Sequence, residues 1–157
     1  MRLAAPFGFY GAGNVGDEAT LLGFAQLIQR YGNGVEVDVA TCCVNQGRKV
    51  EPYFEYYQYF DGIMGWKPKL KAHLSQGYIF GGGTPISDSL GDWPLNTVSG
   101  ILEHARNWGK PVAFVGIGVE HLYRDASLKR MQDKIIPNTL AWSVRSPKDK
   151  ERLIGMG

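Results

Sequence analysis

The sequence predicts one α/β domain in which a parallel β-sheet carries helices on both faces. Apolar runs of strand type alternate with segments of helical period, the order that a parallel sheet with crossover helices requires. Three of those runs end in glycine-rich turns, at Gly11 to Gly13, Gly81 to Gly83 and Gly116 to Gly118, and a doubly wound sheet gathers such turns along one edge. The 157 residues, 44% of them hydrophobic, suffice for one core of ordinary size. The expected sheet is therefore Rossmann-like.

The first run, Ala4 to Tyr10, ends at Gly11 and leads to a helix from Asp17 to Tyr31, with Leu21, Ala25, Ile28 and Tyr31 at helical spacing before Gly32. Asp17 reads either as the N-cap of that helix or as a group that reaches a ligand. Val35 to Thr41 is the second strand. In residues 44–76 an aromatic cluster, Tyr53 to Phe60, reads as a helix beginning at Pro52 or as an irregular lid, its rings serving as core or as a sugar-stacking platform. Lys67, Lys69 and Lys71 read as a solvated face.

Gly77 to Phe80 opens the third strand. A helix from Leu95 to Trp108 follows, with Leu95, Val98, Ile101, Leu102, Ala105 and Trp108 on one stripe and Gly109 as its stop. Pro111 to Val115 is the fourth strand, Ser127 to Ile136 a short helix, and Leu140 to Val144 the fifth strand. Ser146-Pro147-Lys148-Asp149 has the order of a capped helix start. That helix reaches Gly155, where a doubly wound unit carries on, so continuation into a second, C-terminal domain is expected.

Composition excludes several functions. Seventeen Lys and Arg against fifteen Asp and Glu leave +2 without a basic run, so no nucleic-acid footprint is expected. Cys42 and Cys43 are adjacent, which suits neither a disulfide framework nor metal ligation and fits a reducing, cytoplasmic setting. The N-terminus is interrupted by Pro6 and Gly8, and no apolar run approaches the ~18 residues of a membrane span. Of His73, His104 and His121, only His121, just past Gly118, falls on the predicted ligand edge. No His/Cys/carboxylate set has metal-ligand spacing, so no metal is expected.

Gly11-Ala12-Gly13-Asn14-Val15-Gly16 matches the dinucleotide fingerprint between a strand and a helix, and Asp38 follows at roughly the expected 20 residues. A nicotinamide-binding oxidoreductase domain is thus one reading. Against it, the ribose-holding acid belongs at the end of the second strand, where Thr41 stands, and Asp38 is internal. Asp17 and Glu18 also bring negative charge to the helix start that a pyrophosphate would occupy.

The segment Gly8 to Ala19, GFYGAGNVGDEA, resembles the GYYGxGNxGDEA opening of the polysaccharide pyruvyl transferase family. Ile79 to Gly83 is similar to that family's apolar strand plus GGG, Val115 to Gly118 to its GxGIG turn, and Val144-Arg145-Ser146 to its VRD segment, with Ser146 in place of Asp. The resemblance implies a glycosyltransferase-B-like architecture of two Rossmann-like domains, this chain being the first. It implies transfer of a pyruvyl group from phosphoenolpyruvate to a glycan or lipid-linked sugar acceptor in cell-surface polysaccharide synthesis, without a cofactor. On that reading Asp17 and Arg145 are the catalytic candidates. Gly11, Gly13, Asn14, Gly16, Gly81, Gly82, Gly83, Gly116, Gly118 and His121 line the substrates. Arg145 would hold the donor's anionic groups, and its competing role is an ion pair with Asp149 one turn on. A further Arg and a His are expected from the second domain. Peripheral membrane association through a lipid-linked acceptor, and a homodimer through the face meant for the second domain, go with that reading. A non-catalytic homologue that only binds a glycan or partner is the third.

Overall fold

The computed structural model describes residues 1–58 and 73–157; Tyr59, Phe60, Lys67, Lys69 and Lys71 lie outside the described residues. Six strands pair in parallel: β1 (Arg2–Ala5), β2 (Glu36–Thr41), β3 (Glu55–Gln58), β4 (Tyr78–Gly81), β5 (Val112–Ile117) and β6 (Ala141–Val144). Their order is β3-β2-β1-β4-β5-β6. The connection reverses direction between β1 and β4, so the two chains leaving those strands diverge and open a crevice at their carboxyl ends. The expected α/β, Rossmann-like sheet is therefore present.

β1 is shorter than the expected Ala4 to Tyr10. Pro6 has no N–H to give a neighbouring strand, and the chain leaves the sheet there. Residues 6–14 arch over the carboxyl edge instead. Tyr10 anchors this arch: its ring is buried and its hydroxyl donates to the Gly81 carbonyl at the end of β4. Burial first, and then the Asp17 carboxylate, push the Tyr10 phenol far up, so it remains a protonated donor.

β3 corrects the helix or lid expected from Pro52. Asp38 to Thr41 of β2 face Glu55 to Gln58 in register, and Tyr56 and Tyr57 are both buried at the sheet. As consecutive strand residues they point to opposite faces of the sheet, where aromatic bulk packs well on the pleated surface. Phe54 packs against Phe24 at 5.2 Å, so Phe54, Tyr56 and Tyr57 of the aromatic cluster are core while Tyr53 stays exposed. β5 extends past the expected Val115 to Ile117. Gly116 at φ 63° takes up the irregularity where the register with β6 shifts between Phe114 and Ile117.

Five helices flank the sheet among the described residues: α1 (Val15–Tyr31), α2 (Val44–Val50), α3 (Trp93–Asn107), α4 (Asp125–Arg130) and α5 (Pro147–Gly155). α1 presents Leu21, Phe24, Ala25 and Ile28 to one core together with Val37, Val39 and Ile79. α3 presents Leu95, Val98, Ile101, Leu102 and Ala105 to a second core with Phe80, Phe114 and Ile117. Across that second core, Phe80 stacks on Phe114 at 4.5 Å and Phe114 on Trp142 at 4.3 Å, one ring from each of three neighbouring strands. The segment expected as a helix from Ser127 to Ile136 begins at Asp125, widens into a π-turn over Met131–Ile135 and tightens into a 3-10 turn at Ile136–Asn138. Pro137 cannot continue an α-helix, and the wider turn keeps Met131 and Ile135 both fully buried. α5 begins as expected, with the Ser146 hydroxyl accepting the Asp149 N–H at 3.2 Å and Pro147 in the first turn.

Candidate functional site

The crevice between the loops after β1 and β4 holds a solvent-open cleft of about 190 Å³. One wall is aromatic: Phe7 from the arch, Phe80 below it, and Phe9 and Trp93 facing each other at 5.3 Å. The other side is polar. Asp17 enters from the first turn of α1, Gly82 to Thr84 from the turn after β4, Ser87 and Ser89 from the segment before α3, and Glu120 from the segment after β5.

The N-cap of α1 is Asn14 and not Asp17, the Asn14 side chain accepting the Gly16 N–H at 3.0 Å. Asp17 is therefore available to the cleft it lines, and it makes no hydrogen bond or ion pair among the described residues. Asn14 itself faces out and is a helix cap, outside the cleft.

Glu18 has a different role. Its Oε1 accepts the backbone N–H groups of Gly11 at 3.1 Å and Gly13 at 3.2 Å. Those are donors of the kind that a dinucleotide fold offers to a pyrophosphate. Here the protein's own carboxylate fills the position, and a phosphate would have to displace a like charge. Asp38, the acid a ribose would need, is 1% exposed and bound by both Nε (2.5 Å) and Nη2 (2.8 Å) of Arg2, far from the carboxyl edge. The nicotinamide reading thus loses both of its contacts.

The remaining predicted glycines divide by what surrounds them. A Cβ on Gly11 would meet Thr41 and the Cys43 backbone, and one on Gly81 or Gly82 would meet Phe24 or Thr20 of α1, so packing alone accounts for these three. Gly82 to Thr84 still border the cleft, with Gly83 open to it. Gly116, also open, borders a shallower groove on the α1 face, with Leu27 and Val115. Gly16 lies in the first turn of α1.

Arg145, exposed at the end of β6, lays its guanidinium across Gly118, where any Cβ would collide with it, and its Nη2 donates to the Thr84 hydroxyl at 2.9 Å. It therefore stands at the cleft's rim. The alternative partner, Asp149, is engaged elsewhere: it accepts the Val119 N–H at 2.9 Å and the Ser146 hydroxyl at 2.6 Å. The Ser146 hydrogen bond and then the Val119 N–H hold its carboxyl below the usual range, with Arg145 and Arg152 adding at longer reach. His121 is exposed, packs edge-on against Tyr123 at 4.9 Å and does not line the cleft.

Sequence reading did not find Glu120, Ser87, Ser89, Phe9 or Trp93. Ser87 and Ser89 both donate to Glu120 Oε2, at 2.5 and 2.9 Å. Between them Asp88, 3% exposed, accepts the N–H groups of Tyr123 and Arg124, pinning this segment to the chain that follows β5. Burial pushes the Asp88 carboxyl up, but those N–H groups and the nearby Arg124 charge outweigh it and hold it low. The run Ser87-Asp88-Ser89 was the visible signal, since short hydroxyl and carboxyl side chains favour loops that satisfy their own backbone.

Among the described residues no group of His, Cys, Asp and Glu is arranged to hold a metal, and no helix is long and apolar enough to cross a membrane. Comparison with curated proteins and with solved structures gives no significant match. A family model described as polysaccharide pyruvyl transferase matches residues 14–157.

Proposed function

The chain belongs to the polysaccharide pyruvyl transferase family, and from that premise we propose that it takes part in moving a pyruvyl group from phosphoenolpyruvate to hydroxyls of a glycan or lipid-linked sugar, at the crevice between β1 and β4. The family match supports a pyruvyltransferase-like role; donor, acceptor and the residues that act on them are the proposal. The observation that supports it most is the division of charge. Carboxylates, Asp17 and Glu120, lie in the cleft, while the cation Arg145 stands at its rim against Thr84.

The reaction joins two acceptor hydroxyl oxygens to C2 of the enol phosphate as a ketal and breaks the C2–O bond to release inorganic phosphate. One of the two hydroxyl protons goes to the methylene carbon, which becomes a methyl, and the other to the departing phosphate. Arg145 suits the donor, whose carboxylate and phosphate both match a guanidinium fork. Asp17, an acceptor-only group without a protein donor, suits an incoming hydroxyl and can receive its proton as the oxygen bonds to C2. A second domain would supply further cations, and no cofactor enters the chemistry. Such a transferase works on cytoplasmic precursors of cell-surface polysaccharide, and a lipid-linked acceptor would bring it to the membrane surface without a membrane span.

The test is acceptor-dependent release of phosphate from phosphoenolpyruvate, followed with a panel of oligosaccharides. Arg145→Ala and Asp17→Asn should each lower the rate about 100-fold, the scale of losing a charge contact or a general base. Phosphate release that ignores both substitutions would remove this reading.

A further inference from the structure

Resting on the acceptor reading above, we infer that the cleft is a subsite for one uncharged hexose ring, held between the Phe9–Trp93 wall and the Asp17–Glu120 carboxylates, with Glu120 the residue that sets acceptor specificity. Phe9 is 43% exposed and Trp93 38%, although both belong to an aromatic cluster whose inner member, Phe7, packs against Phe80. Rings of this size left open beside a cleft offer an apolar face of the dimensions that the C–H side of a pyranose covers.

The polar side has the complementary chemistry. Ionised carboxylates only accept hydrogen bonds, so two of them facing a cleft call for a ligand rich in donors. Glu120 is fixed in advance: Ser87, 5% exposed, and Ser89 both donate to its Oε2, and its Oε1 has no hydrogen bond among the described residues. With Oε2 held by both hydroxyls, Oε1 is the oxygen left to accept a donor from whatever enters. Sugar hydroxyls supply donors at the spacing of a ring edge. An anionic sugar or the donor's own phosphate adds like charge, and among the described residues no Lys, Arg or His lines the cleft to offset it. Arg145, outside the lining, leaves the anionic donor to the rim.

Saturation-transfer NMR on the 157-residue chain tests this with methyl β-D-glucopyranoside, methyl β-D-galactopyranoside and methyl β-D-glucuronide. At least one neutral glycoside should bind, and the glucuronide should bind about tenfold more weakly or worse, because a carboxylate is brought against two like charges. Glu120→Gln, which keeps the size and one acceptor oxygen, should retain the neutral sugar and reduce that discrimination, the Asp17 charge remaining. Trp93→Leu keeps an apolar residue at the start of α3 and should weaken every sugar about tenfold, with thermal melting as the check on folding. Equal binding of the charged and neutral glycosides, discrimination untouched by Glu120→Gln, or no binding of either neutral sugar would overturn the inference. Sugar binding of the expected kind without transfer from phosphoenolpyruvate would leave the subsite standing and remove the transferase reading. Transfer with acceptor KM unmoved by Glu120→Gln and Trp93→Leu would do the reverse.

Discussion

At the residue scale, two neighbouring acids divide the work at the start of α1. Glu18 turns inward and holds the glycine loop by two backbone N–H groups, whereas Asp17 faces the cleft. The sequence identified the pair as unfavourable to phosphate, but not that one of them would fill the nest itself. That outcome depends on the loop's positive φ at Gly11 and Gly13, which turns both N–H groups toward the helix start. Glu18→Ala should therefore cost on the order of 1 kcal/mol in stability, measured by urea denaturation, since two partly solvated charge-assisted hydrogen bonds are lost. Unchanged stability would mean that the loop keeps its shape without the carboxylate. Arg145 shows the opposite case: its position at a strand end was legible from the Val-Arg-Ser segment, while its partner, Thr84, lies 61 residues earlier in sequence and was not.

At the scale of elements, strands with apolar runs and helices with clear stripes could be read, and boundaries moved where a single residue overrode the pattern. Pro6 shortened β1 and Gly116 let β5 run on. β3 was hidden because its tyrosines fit two periods equally well, and only pairing with β2 decides between them. The walls of the cleft were illegible for the same reason, since Ser87 and Glu120 meet only when β4 and β5 lie side by side. Two buried carboxylates hold the loops around this meeting point, Asp88 before α3 and Asp149 in α5. Both are depressed in the folded state, so their contribution is fully present above the unfolded carboxylate value of about 3.9 and is lost as pH falls through the folded values. Melting temperature should fall as pH is lowered below about 4, and Asp149→Asn, less stable at neutral pH, should flatten that fall. A melting temperature equally steep in acid for the variant would assign the acid sensitivity to other groups.

At the scale of the molecule, the strand order places a single reversal between β1 and β4, and the cleft lies at it. The same sheet serves dinucleotide enzymes and transferases alike, so the fold does not choose between them. The choice comes from the contents of the crevice: a glycine loop already occupied by Glu18, an Asp38 committed to Arg2, and a cation at the rim of an acidic, aromatic cleft. Calorimetric titration with phosphoenolpyruvate and, in the same buffer, with NADH addresses that choice most directly. Phosphoenolpyruvate should bind and lose its heat in Arg145→Ala, with NADH giving none; binding of NADH, or phosphoenolpyruvate binding that survives Arg145→Ala, would contradict the assignment.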